Sequence, residues 1–120
     1  MRSTHLLESV EFSEVRPTAK PLYVDEHGRI LLFALRPGQS IREHSAPHSP
    51  FYALVLQGVG AFAGEDGKEQ LVGPNALLIF APNEMHSVRA LEEDLVFVGF
   101  LHGAPTVRPG KVGGDIGRQE

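Results

Sequence analysis

"IREHSAPHSPFYALVLQG" (residues 41–58) sets two histidines four positions apart and then runs into an unbroken apolar segment. A helix over its first half would put His44 and His48 on one face, as in a zinc-protease helix. Ser45 stands where that motif needs glutamate, however, and Pro47 lies inside the window, so the helical reading fails. In an extended chain, residues two apart face the same way, which lets His44, Ala46 and His48 share a side. After Pro50 the parity Phe51, Ala53, Val55, Gln57 alternates with Tyr52, Leu54, Leu56. Both sets are largely apolar, so this segment reads as a strand buried on both sides.

Outward from there the same grammar repeats. Thirteen glycines and nine prolines separate short runs rich in Val, Leu, Ile and Phe, which predicts many short strands joined by turns and an all-β domain. The expected strands are "LESVEFSEV", "PLYVD", "RILLFALR", "FYALVLQG", "GAFAG", "EQLV", "ALLIFA", "HSVRAL" and "DLVFVGFLH". "EHGR" and "EDGK" place Gly28 and Gly67 where a hairpin needs positive φ, and "GPNA" puts Pro74 and Asn75 at the centre of a type II turn. Only the extreme N-terminus has room for a turn of helix. Residues 77–81 alternate in the same two-sided apolar way as residues 51–57, which predicts burial of both faces there too.

At 120 residues the chain fits one domain: an N-terminal strand or arm over 1–20, a barrel over 21–102 and a C-terminal arm or tail over 103–120, where Gly, Pro and charge replace apolar periodicity. With no cysteine, any metal must be held by imidazole, carboxylate or water. Fifteen acidic residues against 11 basic ones, net charge -4, leave no Lys/Arg cluster for phosphates, so nucleic acid is not an expected partner. No apolar run approaches the ~20 residues of a membrane helix, and the first residues lack a signal-peptide core. A cytoplasmic location with no membrane partner is the expectation.

His86, in "FAPNEMHSVRAL", starts a strand after a turn. Together with His44 and His48 it would supply three imidazoles from two strand-turn-strand segments, a set suited to Zn, Mn, Fe or Ni. His102 shares the parity of Val96, Val98 and Phe100; it and Tyr52 are the candidates for a proton carrier lining a pocket, with Glu43 and Glu84 flanking the histidines.

These residues resemble the motifs of the cupin family of small β-barrels. The first family motif reads Gly, five residues, His-x-His, three or four residues, Glu, six residues, Gly; Gly38, His44 and Gly58 fall in place, while Ala46 and Phe51 occupy the second histidine and the glutamate. In the second motif, Gly, five residues, Pro-x-Gly, two residues, His, three residues, Asn, His86 matches. Asn75 and Asn83 stand at its glycines, Ala81 at its proline and Ala90 at its last position. Asn tolerates left-handed backbone better than any residue but Gly, so the turns should survive. The resemblance, over roughly residues 22–101, implies a jelly-roll barrel (double-stranded β-helix), a homodimer, and a small-molecule ligand with a divalent metal at His44, His48 and His86. The alternative it leaves open is a metal-free ligand-binding or sensing barrel without catalytic activity.

Overall fold

The computed structural model describes residues 1–44 and 48–103, with backbone alone for Glu43 and His44. Nine strands follow in chain order: β1 (Thr18–Asp25), β2 (Gly28–Leu35), β3 (Ser40–His44), β4 (Phe51–Gln57), β5 (Gly60–Ala63), β6 (Glu69–Val72), β7 (Leu77–Phe80), β8 (His86–Ala90) and β9 (Leu95–His102). They form a five-stranded sheet of order β1-β2-β9-β4-β7 and a four-stranded sheet of order β3-β8-β5-β6, antiparallel throughout. The all-β reading holds, as do eight of the predicted segments to within a few residues at their ends. β3 was not among them, because "SIREH" offers one apolar residue, Ile41, too thin a pattern to read.

Strand parity sorts the side chains into two clusters. Leu31, Phe33 and Leu35 of β2, Phe51, Ala53 and Val55 of β4, and Leu95, Phe97 and Leu101 of β9 face Ile41, Phe62, Val88 and Ala90 of the other sheet. The opposite parity of the five-stranded sheet, Leu32, Val96 and Val98 with Ile30, Leu54 and Leu56, is covered by Leu6, Val10 and Phe12 of the N-terminal segment. "LESVEFSEV" is therefore not a strand. It is a 3-10 turn at Leu6–Glu8 and an irregular arm. Side chains hold its backbone: Lys20 Nζ donates to the Ser9 carbonyl (3.1 Å), Thr18 Oγ1 to that of Glu11 (2.6 Å) and Gln39 Nε2 to that of Ser13 (2.9 Å). Arg36 adds ion pairs to Glu14 (2.8 Å) and Asp94 (2.9 Å) and lies over the Phe12 ring. Residues 104–120 of the expected C-terminal arm lie outside the described residues.

The turns carry two results. Asn75 (φ 76°) and Asn83 (φ 71°) do adopt left-handed backbone, and the Ala76 amide closes the type II turn onto the Gly73 carbonyl at 3.1 Å. Gly67 is left-handed as expected, but Gly28 is not. Gly28 is already a strand residue, and a Cβ there would sit 2.7 Å from the Leu101 carbonyl oxygen, so the requirement is close strand approach rather than turn geometry. Asp25 shapes that hairpin by accepting from the amides of His27 (2.8 Å) and Gly28 (3.1 Å), and these bonds, that of His27 foremost, hold its carboxyl below the usual range.

The two-sided burial expected of residues 77–81 is not found: Leu77 and Ile79 are 60% and 64% exposed. β7 is an edge strand, and the N-terminal arm does not reach its outer face.

Candidate functional site

The antiparallel order brings the start of β2, the end of β9, the start of β4, the end of β7, the end of β3 and the start of β8 to one end of the barrel. His86 opens β8 with the parity of buried Val88 and Ala90, so it points inward, and it is 5% exposed. Its imidazole stacks on Phe80 (4.6 Å between centroids, 25°) and Phe51 (5.3 Å, 4°). Its Nδ1 lies 3.0 Å from the Glu84 carbonyl oxygen. A carbonyl only accepts, so Nδ1 carries a proton and donates it to Glu84. Glu84, which flanks His86 in sequence, shapes the turn before β8: its carboxylate accepts from the amides of Ala81 (2.8 Å) and Glu65 (3.2 Å).

His44 reaches this end through a bulge. Ser40 and Ile41 pair with Arg89 and Val88 in one register, which shifts by one residue before His44 pairs with His86. Without the extra residue Glu43 would stand opposite His86. The bulge thus sets two histidines at facing positions of adjacent strands, a placement that sequence spacing alone does not reveal.

The remaining predicted residues are not brought to the interior. His48 is exposed, in the turn before β4. Tyr52 and His102 have the parity of Leu54 and Val98, on the outer face of the five-stranded sheet, where His102 Nε2 and Tyr52 Oη lie 3.1 Å apart. Neither lines the barrel. The pairing follows from register: Phe100, two residues before His102 and so on the same face, stands opposite Tyr52.

Two residues at this end escaped the sequence reading. Ser49, buried, donates from Oγ to the Pro50 carbonyl (2.5 Å) and accepts from the His102 amide (2.7 Å), clipping the start of β4 to the end of β9. Arg29 sits on the inward parity of β2 with Leu31, Phe33 and Leu35, and it is 5% exposed. Its signal was in "RILLFALR": a charge at the first position of an otherwise apolar inward stripe.

The family model for the cupin domain matches residues 31–100, more than half of the chain. The chain belongs to the cupin family. This cupin resembles a conserved double-stranded β-helix protein from Klebsiella pneumoniae (20% identity, TM-score 0.81, covering 87% of this chain and 91% of that one). It also resembles an RmlC-like cupin from Desulfovibrio desulfuricans (28% identity, TM-score 0.75, 84% and 96%). A cupin 2 conserved barrel protein from Leptotrichia buccalis is 27% identical, with a TM-score of 0.73, over 81% of this chain and 46% of that one. No match was found among curated proteins.

The donor set fits part of a divalent-metal site. His44 and His86 occupy facing register positions, and His86 Nδ1 is tied to a carbonyl as in many metal-bound histidines. Ala46 and Phe51 supply no donor where the motif has His and Glu, and the Phe51 ring instead packs on the face of His86 and edge-on to Phe33 at 5.9 Å. Among the described residues no group of three or more His, Cys, Asp or Glu is placed to hold a metal.

Proposed function

We propose that this cupin holds a small molecule at the histidine end of its barrel, with the rings of Phe51 and Phe80 flanking its apolar body and His86 as the hydrogen-bonding group. The observation that carries this reading is His86 itself, an inward, buried imidazole whose orientation is fixed by the Glu84 carbonyl and by two stacked phenyl rings. A polar side chain preset among apolar walls is how small-ligand pockets fix orientation. Thermal-shift screening against a panel of small neutral and charged aromatic and aliphatic compounds tests it. At least one compound should raise the melting temperature of the wild type, and its affinity should fall in His86→Leu by about 1–3 kcal/mol, the worth of a hydrogen bond to a buried group. A panel with no stabilising compound, or compounds that bind a folded His86→Leu equally well, would sink the reading.

A second reading is favoured by the facing positions of His44 and His86. In it these two and His48 hold Zn, Mn, Fe or Ni, with His48 turned in from the exposed position in which it stands. A metal there would act as a Lewis acid toward an oxygen-bearing ligand. Elemental analysis of untagged protein purified without chelator separates the two: near-stoichiometric metal that disappears in His44→Ala and in His86→Ala supports the metal site. No metal in the wild type, even after incubation with each of the four ions, leaves the metal-free barrel.

A further inference from the structure

Arg29 is a cation inside an apolar barrel. Among the described residues its Nε and Nη1, both buried, have no hydrogen-bond partner, and no carboxylate pairs with it. The acids next to it in sequence are engaged elsewhere: Asp25 with the amides of its own hairpin, and Glu26 out in solvent beside His27. Burial pushes the guanidinium pKa down, yet arginine keeps its charge at any ordinary pH. A buried charge without a partner is among the costliest arrangements in a protein interior, and its persistence calls for a compensating anion.

Register shows where that anion would lie. Arg29 pairs with Leu101, Leu101 with Phe51, and Phe51 with Phe80, one continuous row across β2, β9, β4 and β7. Leu101, Phe51 and Phe80 are buried on the inner face, and His86 stacks on the last two from the opposite sheet. Arg29 is two strands from Phe51, about 10 Å between Cα atoms at ordinary strand spacing. The row therefore runs from a cation, over an apolar floor, to an imidazole.

Building on the small-molecule reading above, we propose that Arg29 is the anion anchor of the interior site and that the ligand is an oxyanion, a small carboxylate or phosphate ester, whose apolar body lies along Leu101 and Phe51. Arginine suits this role because its N–H groups form charge-assisted bonds to both kinds of head group. The bound anion removes the cost of the isolated cation, so affinity and stability are coupled through one residue.

Calorimetric titration with benzoate, phenyl phosphate and benzamide, beside thermal melts in dilute buffer, tests this on wild type, Arg29→Met and Arg29→Lys. In the wild type at least one anion should bind tenfold or more tighter than benzamide, and which one does so separates carboxylate from phosphate recognition. Arg29→Met should lose that preference and, without ligand, melt at or above the wild-type temperature. Arg29→Lys should keep part of the preference. Equal binding of benzamide and both anions to wild type and to Arg29→Met would overturn the anchor while leaving the small-molecule reading intact. An absence of binding by all three probes would overturn the anchor and leave the small-molecule reading to its own panel. An Arg29→Met that melts well below wild type, in a wild type indifferent to anions, would overturn it in another way, by showing Arg29 held by a carboxylate of the chain itself.

Discussion

The two ends of the barrel are made from the same strands and bury different chemistry. At one end Leu35 pairs with Leu95 and Gly60 with Ala90, and Val55 completes a plug of aliphatic side chains, all of them essentially inaccessible. At the other end Arg29, His86 and Ser49 are equally buried, among Phe51, Phe80 and Leu101. The aliphatic end contributes stability through burial of apolar surface. Burying a charge, an imidazole and a hydroxyl costs stability that packing elsewhere must offset, and the proposed ligand site rests on that difference.

The largest expected effect lies at the aliphatic end. Leu35→Ala removes a fully buried side chain and should cost about 2–5 kcal/mol in denaturant unfolding, whereas Arg29→Met at the other end should cost nothing or stabilise. Equal losses at both would erase the contrast. Next comes Gly99, which lies on the inner face beside the row of Arg29 and Phe51. A Cβ there would come within 2.5 Å of the Phe51 ring and 2.9 Å of Phe33, so Gly99→Ala should destabilise by about 1–3 kcal/mol. It should also weaken any ligand that rests on Phe51, a combination that binding and unfolding measurements on one variant would separate from plain destabilisation.

Asn75 and Asn83 lie in turns at opposite ends of the barrel, just before β7 and just after it, each with left-handed backbone. Alanine at either should cost about 1–2 kcal/mol. Similar values would show that this term is local to the turn and blind to what each end buries; a much larger loss at Asn83 would mean that its turn also supports His86. The smallest effect belongs to the surface. Arg89 makes two hydrogen bonds to Glu69, at 2.8 and 2.9 Å, but both side chains are well exposed. Arg89→Ala should move the unfolding midpoint by less than about 1 kcal/mol, and less still in high salt.

Much of the aliphatic end was legible. Alternation in "RILLFALR", "FYALVLQG" and "DLVFVGFLH" marks strands whose both faces are apolar, and Gly, Pro and Asn mark where they stop. The N-terminal arm was misread because Val10 and Phe12 alternate like a strand, while the bonds to its carbonyls come from Lys20, Thr18 and Gln39, side chains that are distant or unremarkable in sequence. At the polar end His86 was legible as a residue type at a strand start. The one-residue bulge that sets His44 opposite it was not, because register is a property of two strands and appears in neither alone.

The chain by itself determined an all-β domain with Asn at two turns that need left-handed backbone, since alternation and backbone sterics are local, and its motif residues carried the resemblance to cupins. Which parity faces inward was a tertiary decision: only the second sheet and the N-terminal arm distinguish the two faces of the five-stranded sheet. That choice put Tyr52 and His102 outside and Arg29 inside. A strand presents both faces alike until something packs against one of them.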